Sequence, residues 1–341
     1  MTAPIRTAVV GFGLAGSVFH APAIAADPRF SLDFLVTSDP DRQAQARAAH
    51  PGAEVLASAA ELWGRELDLV VVATPPATHV ALAEAALDAG AAVVVDKPFT
   101  VTSAEGEALI AKAAAAGQLL TTYQNRRWDG EYLTLKKLIA EGALGEVRRF
   151  ESRLERWSPQ IAKVWKAEAT AADGGGILYD LGTHLIDQAL QLFGPVRRVY
   201  GELDARRPQE KADDDVFVAL EHESGVRSHL WMNLSTPQLG PRYRVLGSEA
   251  AYTKVVPDQQ EAQILAGILP GDPDYGVDPE ANWGVLGRDG ALEKVPTEPG
   301  NFAEFYALLA AALRDGGPVP VDPADSVAAL KIIEAVRAQQ G

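Results

Sequence analysis

Short apolar runs recur along the first third of the chain and alternate with longer segments rich in Ala, Leu and Glu. These runs predict strands at Thr7–Val10, Ser31–Thr37, Leu69–Ala73, Ala92–Val95 and Leu119–Tyr123, with a weaker one at Glu54–Leu56. The segments between them, such as His79–Asp88 and Ser103–Ala116, have the composition of helices. A strand that is apolar at every position is buried on both faces, and helices on both sides of a parallel sheet bury it in this way. The pattern therefore predicts βαβ crossovers and a doubly wound parallel sheet.

Beyond Asn125 the pattern changes to one helix followed by long strands. The helix is predicted over Gly130–Glu141 and ends at Gly142. Strands are predicted at Glu146–Trp157, Arg197–Ala205, Val216–His222, Val226–Leu234 and Tyr243–Val255. Because a tight turn, Glu223-Ser224-Gly225, joins two of these strands, the sheet is predicted to be mostly antiparallel.

The last part of the chain combines a region rich in Gly, Pro and Asp, residues 257–300, with two helices. We expect residues 257–300 to be a loop-dominated insertion or edge. The helices are predicted at Phe302–Arg314 and Pro323–Ala338, with Asp322 as the N-cap of the second. Two domains follow: an α/β domain with a parallel doubly wound sheet at residues 1–124, and an α+β domain at residues 125–341 that includes both C-terminal helices.

Composition narrows the classes of function. The 341 residues contain no cysteine, which excludes disulfides, thiolate zinc sites and a cysteine nucleophile. With 31 basic and 46 acidic residues the net charge is −15, and no basic run suits binding to nucleic acid or to an acidic membrane. No apolar stretch approaches the ~20 residues that span a bilayer, and Met1–Arg6 does not resemble a signal peptide, so we expect a cytoplasmic protein.

A glycine motif follows the first predicted strand and opens a helix. It consists of Gly11, Phe12, Gly13, Leu14, Ala15 and Gly16. In this spacing the first glycine allows a tight turn, the second lets a pyrophosphate approach the backbone, and the third lets helix and strand pack closely. Free N–H groups at the start of the helix then bind the phosphates. The motif, with the βα repeats that follow it, predicts a Rossmann domain that binds a dinucleotide.

The end of the second strand bears on the choice between NAD and NADP. NAD-binding proteins carry an acidic residue there, about 20 residues past the glycines, which binds the ribose hydroxyls. In this chain Thr37 and Ser38 occupy the strand end and Asp39 comes one place later. A small hydroxyl leaves room for a 2′-phosphate that Arg42 pairs with, which favours NADP over NAD. An ordinary turn in which Asp39 caps the next helix is the alternative.

Two further constellations carry candidate chemistry. Asp96-Lys97-Pro98 closes the fifth strand, at the sheet edge where open α/β folds bind ligands. The run from Gly174 to Asp187 brings Asp180, His184 and Asp187 to one face if it is helical. A carboxylate beside an imidazole suits general acid–base work, although on spacing alone a structural Asp–His pair is equally consistent. We expect no metal at these residues.

These motifs, together with Ala73-Thr74-Pro75-Pro76 after the fourth strand, resemble the Gfo/Idh/MocA oxidoreductase family over nearly the whole chain. The stretches 19–22, 95–102 and 125–129 are similar to its NADP-dependent scyllo-inositol dehydrogenases. The resemblance implies a Rossmann domain followed by a domain with an open, mostly antiparallel sheet, and assigns the catalytic positions to Lys97, Asp180 and His184. Asp96 stands where many members have glutamate, which keeps the carboxylate.

The resemblance and the glycine motif together define candidate binding residues. For the cofactor these are Gly11, Phe12, Gly13, Leu14, Ala15, Gly16, Thr37, Ser38, Arg42, Thr74, Pro75, His79, Asp96 and Lys97. For the substrate they are Asn125, Arg127, Trp128 and Tyr179, and the stretch Arg153–Lys166 with Trp157 and Trp165 offers further contacts. Surface arginines and packing aromatics are the alternative for this second group.

The implied reaction is hydride transfer between a nicotinamide and a hydroxyl-bearing carbon of a cyclic polyol or sugar. His184 would accept the proton, Lys97 would stabilise the reacting oxygen, and Asp180 would orient His184 or bind a neighbouring hydroxyl. The alternative is a non-catalytic, dinucleotide-sensing regulatory protein of the same fold. Apolar residues on both faces of the second sheet, as at Val216–Leu220, predict a homodimer or homotetramer formed through that sheet.

Overall fold

The computed structural model describes residues 3–161, 168–208 and 210–340. The chain divides into two compact units. The first unit comprises residues 1–125, 261–275 and 302–327, and the second comprises residues 126–260, 276–301 and 328–341.

The first unit contains the predicted parallel sheet. Its strands are β1 (Ile5–Val10), β2 (Phe30–Val36), β3 (Glu54–Leu56), β4 (Leu69–Val72), β5 (Ala92–Asp96) and β6 (Leu120–Tyr123). The helices between them are α1 (Ala21–Ala26), α2 (Pro40–Ala49), α3 (His79–Asp88) and α4 (Ser103–Ala116). The strand order is β3-β2-β1-β4-β5-β6 and every pairing is parallel. The sequence therefore predicted all six strands and the sheet type correctly.

Burial and local hydrogen bonds explain why these elements form where they do. Every residue of β4 and β5 is buried, as a central strand covered on both faces requires. Helix α4 begins with a capping box, in which Thr102 accepts from the backbone N–H of Glu105 and Glu105 accepts from that of Thr102. It ends at Gly117, which adopts the left-handed conformation (φ +64°).

The second unit is built on an eight-stranded sheet. Its strands are β7 (Val147–Glu155), β8 (Val196–Asp204), β9 (Asp215–His222), β10 (Arg227–Asn233), β11 (Tyr243–Gly247), β12 (Ala251–Lys254), β13 (Gly284–Arg288) and β14 (Ala291–Val295). Helices α5 (Gly130–Ala140) and α6 (Thr183–Phe193) precede β7 and β8. Helix α7 (Gln260–Leu265) follows β12 in the chain and, apart from Gln260, belongs to the first unit. The order is β14-β13-β12-β11-β7-β10-β9-β8, with β7 and β10 parallel and the other pairs antiparallel. The predicted mostly antiparallel sheet is thus confirmed.

One sequence prediction in this unit was wrong, and another missed two strands. The single strand expected over Tyr243–Val255 is a hairpin of β11 and β12, because the chain turns at Ser248 and Glu249. Residues 257–300, predicted to be a loop-dominated insertion or edge, are mostly irregular, and they also contribute the antiparallel pair β13 and β14 at one edge of the sheet, which was not predicted. Strand β14 is exposed along most of its length, so it lacks the apolar pattern by which strands are recognised.

Both C-terminal helices were assigned to the second domain, and the structure divides them differently. Helix α8 (Glu304–Asp315) belongs to the first unit, and α9 (Pro323–Arg337) begins in the first unit and ends in the second. Tyr306 and Phe305 of α8 pack their rings against Tyr123 of β6, with centroids 6.1 and 4.8 Å apart. Such contacts bridge nearly two hundred residues of sequence, and a boundary drawn along the chain does not detect them. The predicted cap of α9 forms, because Asp322 accepts from the N–H of Ala324 at 2.9 Å.

A buried lysine, Lys254, holds together part of the region rich in Gly, Pro and Asp, residues 257–300. The side chain of Lys254 has no exposed surface, and its ammonium donates to the carbonyls of Val256 and Asn282 and to Asp278 at 2.7, 2.7 and 2.8 Å. All three N–H donors are therefore used. The residues just after β12 and the segment that leads into β13 are held to the end of β12 by one charge.

We expect Lys254→Met to lower the free energy of unfolding by roughly 3–5 kcal/mol, since it leaves Asp278 buried without its counter-charge. The matched control is Lys294→Met, which removes a pair of similar length with Glu280 (2.8 Å) that is more than half exposed on both sides. That change should leave the free energy of unfolding nearly unchanged, because an exposed ion pair contributes little to stability. Denaturant unfolding of the two variants makes the comparison, and equal losses would contradict the role of Lys254.

Candidate active site

The glycine motif forms the turn between β1 and the helical segment after it. The absence of a side chain has a different consequence at each of its three glycines. Gly11 has φ +104°, and a side chain there would come within 2.3 Å of the carbonyl oxygen of Ala73. At Gly16 a Cβ would lie 1.9 Å from the carbonyl oxygen of Gly11. At Gly13 a Cβ would meet only the Arg42 guanidinium, at 3.8 Å. The first and third glycines are thus required by packing, whereas the second leaves an open cradle that suits a pyrophosphate.

The helix that the motif opens differs from the expected α-helix. Residues Ala15–His20 form a π-helical turn, and α1 continues directly from it. Ser17 donates from both its backbone N–H (2.9 Å) and its hydroxyl (2.7 Å) to the carbonyl of Gly13. Leu14 is partly exposed, whereas the ring of Phe12 is buried and meets His50 edge-on. Phe12 therefore presents its backbone, not its ring, to the cradle side of the turn.

The end of β2 carries the residues that bear on the 2′-phosphate. Thr37 is buried and its N–H donates to the carbonyl of Leu56, while Ser38 is exposed. Asp39 caps α2, because its carboxylate accepts from the N–H groups of Asp41 and Arg42 at 2.9 and 3.2 Å. The Arg42 side chain is half exposed and reaches back to the cradle at Gly13. Helix capping by Asp39 and a phosphate-binding Arg42 are thus compatible.

His79 joins two loops at the carboxyl edge of the sheet. Its ring is fully buried; Nε2 lies 2.8 Å from the carbonyl oxygen of Thr74 and Nδ1 lies 2.9 Å from that of Pro98. Burial lowers the pKa of His79, because it disfavours the imidazolium. Both ring nitrogens face backbone carbonyls, and the neutral ring donates its single N–H to one of them, so His79 positions the loops at Thr74 and Pro98 instead of offering a ring nitrogen to a cofactor.

Lys97 follows the last residue of β5 and is tied to it. Its backbone N–H donates to Oδ1 of Asp96 at 2.8 Å. Burial works against an ionised Asp96, but His20 and the charge of Lys97 outweigh it and hold the pKa of this carboxyl below its usual range. A carboxylate therefore stands beside Lys97 at neutral pH.

In the second unit, the glycine run before α6 makes room for a buried aspartate. Gly176 has φ +95°, and a Cβ there would lie 2.4 Å from Oδ1 of Asp213. A side chain on Gly175 would lie 2.4 Å from the carbonyl oxygen of Ala169. Asp213 accepts from the backbone N–H of Leu178 at 2.7 Å and from the Arg337 guanidinium at 2.7 Å. The backbone that leads into the Asp180–His184 segment is thereby fixed.

The face predicted for Asp180, His184 and Asp187 is not that of one α-helix. Asp180 lies in a π-helical turn, Leu178–Gly182, whereas His184 and Asp187 lie in the first turns of α6. Asp180 is half-buried, and the other two are buried. Asp187 forms a bidentate ion pair with Arg127, at 2.5 and 2.9 Å. The π turn shifts the phase of the helix, so the i, i+4 rule does not apply across it.

The predicted substrate residues are mostly buried. Asn125 and Trp128 are 8 and 9% exposed, and the carbonyl of Trp128 accepts from the N–H of Asn301 and from Gln260 Nε2, both at 3.0 Å. Tyr179 is 4% exposed and lies under the Arg337 guanidinium, 4.8 Å from its ring centroid. Trp157 is 59% exposed, and Trp165 lies outside the described residues. Packing, the alternative reading of these aromatics, describes Trp128 and Tyr179 well.

Two supporting residues, Asp213 and Arg337, were not predicted from the sequence. The only signal was an acidic triplet, Asp213-Asp214-Asp215, directly before an apolar strand, which resembles an ordinary solvated turn. Within the described parts of the chain no group of three or more His, Cys, Asp or Glu side chains is arranged to hold a metal ion. Nor does any described helix have the length and apolarity to cross a membrane.

Comparison with known families matches both units. Residues 5–124 match the model of an oxidoreductase family with an NAD-binding Rossmann fold, and residues 132–253 match the GFO/IDH/MocA C-terminal domain. Together the two matches cover most of the chain. The open cradle at Gly13 fits the pyrophosphate of the dinucleotide that the first match implies.

Individual relatives cover nearly the full length. The chain is 34% identical over 336 residues to scyllo-inositol 2-dehydrogenase (NADP(+)) of Bacillus subtilis, covering 97% of this chain and 92% of that protein. It is 36% identical to the uncharacterized oxidoreductase YdgJ of Escherichia coli, covering 98% of this chain and 96% of the relative. A solved oxidoreductase structure from Yersinia pestis is 37% identical, with a TM-score of 0.91 and coverage of 100% and 96%.

Proposed function

The chain belongs to the Gfo/Idh/MocA family of NAD(P)-binding oxidoreductases, and from this we propose that it transfers a hydride between NADP and a hydroxyl-bearing carbon of a cyclic polyol or sugar. The observation that carries the proposal is the conjunction at the carboxyl edge of the first sheet: an open glycine cradle, and a lysine held beside a buried carboxylate. Its relative from B. subtilis is a scyllo-inositol dehydrogenase, which supports the substrate class.

In the proposed mechanism the residues of this chain bind, orient and move the proton. The cofactor, when bound, supplies hydride chemistry at C4 of its nicotinamide. Lys97 donates a hydrogen bond to the reacting oxygen and stabilises the negative charge that develops on it during oxidation. His184 accepts the hydroxyl proton, and Asp180 orients His184 or binds a neighbouring hydroxyl.

Burial of the surrounding residues serves the same chemistry. His184 is only 4% exposed, so its exchange with bulk water is restricted. Arg127 forms an ion pair with Asp187 and thereby ties the segment before α5 to the first turns of α6. We propose Asn125, Arg127, Trp128 and Tyr179 as residues that shape the substrate pocket, the last two through their packing.

Lys97→Ala and His184→Ala should each lower kcat by roughly 10²–10⁴-fold, the usual contribution of a positioned acid or base. The assay is a panel of polyols and keto-sugars run separately with NADP and NAD, followed by the absorbance of the reduced nicotinamide. Lys112→Ala is the control, because this lysine forms an exposed pair with Asp88 on the far end of α4.

Three outcomes are distinguishable in that panel. Turnover by the wild type that both alanine variants lose supports the proposal. Near-normal turnover in both variants would refute the catalytic assignment. Binding of dinucleotide without turnover on any substrate would instead favour the regulatory alternative.

We propose NADP as the preferred cofactor because an exposed Ser38 and the nearby Arg42 leave space and charge for a 2′-phosphate. Arg42→Ala should weaken NADP binding by about 10- to 100-fold, the value of a charge-assisted hydrogen bond, and leave NAD binding unchanged. Arg47→Ala, on the last turn of the same helix, is the matched control. Titration calorimetry measures both cofactors, and an equal loss for NADP and NAD would argue against a 2′-phosphate contact.

We also propose that the protein is a homodimer or homotetramer formed through the second sheet. Alternate residues of β9 are buried, and the opposite face carries Phe217 packed against Trp231 and His229 of β10, with ring centroids 5.1 and 5.8 Å apart. Sedimentation at micromolar concentration should give a multiple of 36.3 kDa. Phe217→Glu should shift the mass towards the monomer, whereas Leu308→Glu on α8 should not; a monomeric wild type would refute the proposal.

A further inference from the structure

A line of buried polar groups runs through the first unit from α8 to the residue beside Lys97. The hydroxyl of Tyr306 lies 2.6 Å from Nδ1 of His20, and Nε2 of His20 lies 3.9 Å from Oδ1 of Asp96. The same carboxylate oxygen accepts from the backbone N–H of Lys97 at 2.8 Å. His20 has no exposed surface, Tyr306 is 1% exposed and Asp96 9%.

The direction of these contacts follows from Asp96. Its ionised carboxylate only accepts hydrogen bonds, which favours the ring hydrogen of His20 on Nε2, the nitrogen that faces Asp96. Nδ1 then carries a lone pair and accepts from the hydroxyl of Tyr306. At 3.9 Å the approach is electrostatic, being longer than a hydrogen bond, and Nε2 has no other hydrogen-bond partner among the described residues.

A fixed N–H dipole aimed at a buried carboxylate has two effects. It favours the ionised form of Asp96, and it restrains the carboxylate in the orientation that accepts from the backbone of Lys97. The first residue after β5 is then held by a hydrogen bond to an ion, which is stronger than one to a neutral acceptor. Nothing else in the proposed mechanism uses His20 or Tyr306.

We propose that His20 and Tyr306 are positioning residues that act through Asp96 to fix the backbone of Lys97. The placement of Lys97 is a property of the protein alone. Only the consequence for turnover rests on the proposed function.

The chain offers a matched pair of substitutions that test this line of contacts. Tyr306→Phe removes the hydroxyl that donates to His20. Tyr123→Phe makes the same change on a buried ring that also packs on His20, with centroids 4.3 Å apart, but whose hydroxyl has no hydrogen-bond partner in the part of the chain that the structure describes. Both changes keep the aromatic packing, so both variants should fold, which a truncation of His20 would not guarantee.

The first measurement needs no cofactor or substrate. ¹⁵N NMR of the ring nitrogens should show His20 as the Nε2–H tautomer in the wild type and in Tyr123→Phe, and a mixture of tautomers in Tyr306→Phe. Exchange of the Lys97 amide hydrogen should be roughly 3- to 10-fold faster in Tyr306→Phe than in Tyr123→Phe, the value of one hydrogen bond. Equal exchange and an unchanged tautomer in the two variants would overturn the proposal.

The second measurement is turnover with the substrate found in the polyol panel. Tyr306→Phe should lower kcat several-fold while KM for the dinucleotide stays constant, and Tyr123→Phe should change neither. In an Asp96→Asn background the difference between the two phenylalanine variants should disappear, because the line is interrupted; a persisting difference would overturn action through Asp96. If the wild type turns over no substrate, the proposed function fails, and amide exchange still decides the positioning role.

Discussion

Buried charge is the constraint on which both units depend, because an ionised group removed from water is tolerated only where another group compensates it. In the second unit Arg242, 1% exposed, donates to Glu131 at 3.1 Å across 111 residues of sequence. Asp213 meets Arg337 in the same way across 124 residues. In the first unit His20 lies between Tyr306 and Asp96. Each of these partnerships joins distant segments. Asp96 also holds the backbone N–H of Lys97, and Asp213 also holds that of Leu178, two residues before Asp180.

The parallel sheet was predictable because its signal is local. Strands β4 and β5 each contain three consecutive valines, and the capping residues Asp39 and Thr102 mark the starts of α2 and α4. The pair β13 and β14 was not predictable, because β14 faces water and the segment that leads into β13 is held by the buried ammonium of Lys254. The hairpin at Ser248 was missed for a related reason: two polar residues inside a long β-rich stretch are too weak a signal for a turn.

The candidate site also contains residues that the local sequence reveals and residues that it does not. Gly11, Gly13 and Gly16 could be identified because their spacing is local: Gly11 and Gly16 are required by contacts within the turn and with the residue after β4, and Gly13 leaves space between them. The supporting residues could not, since Asp213 and Tyr306 act on backbone segments that are remote in sequence. The common helical face predicted for Asp180 and His184 was wrong, because a π turn cannot be distinguished from an α-helix by residue spacing alone. Sequence pattern thus identifies the groups that do chemistry more readily than those that hold them in place.

The first unit is assembled from separate segments of the chain, and this has a consequence for folding during synthesis. Its last strand, β6, donates the hydroxyl of Thr121 to the carbonyl of Val321 at 2.6 Å and packs Tyr123 against α8. A ribosome releases the chain from its N-terminus, and domains generally fold as they emerge. Here residues 1–125 of the first unit emerge before the second sheet, yet the unit lacks residues 302–327 until strands β7 to β14 have been made. The nascent N-terminal sheet therefore waits, with one side incomplete, through the synthesis of the whole second sheet.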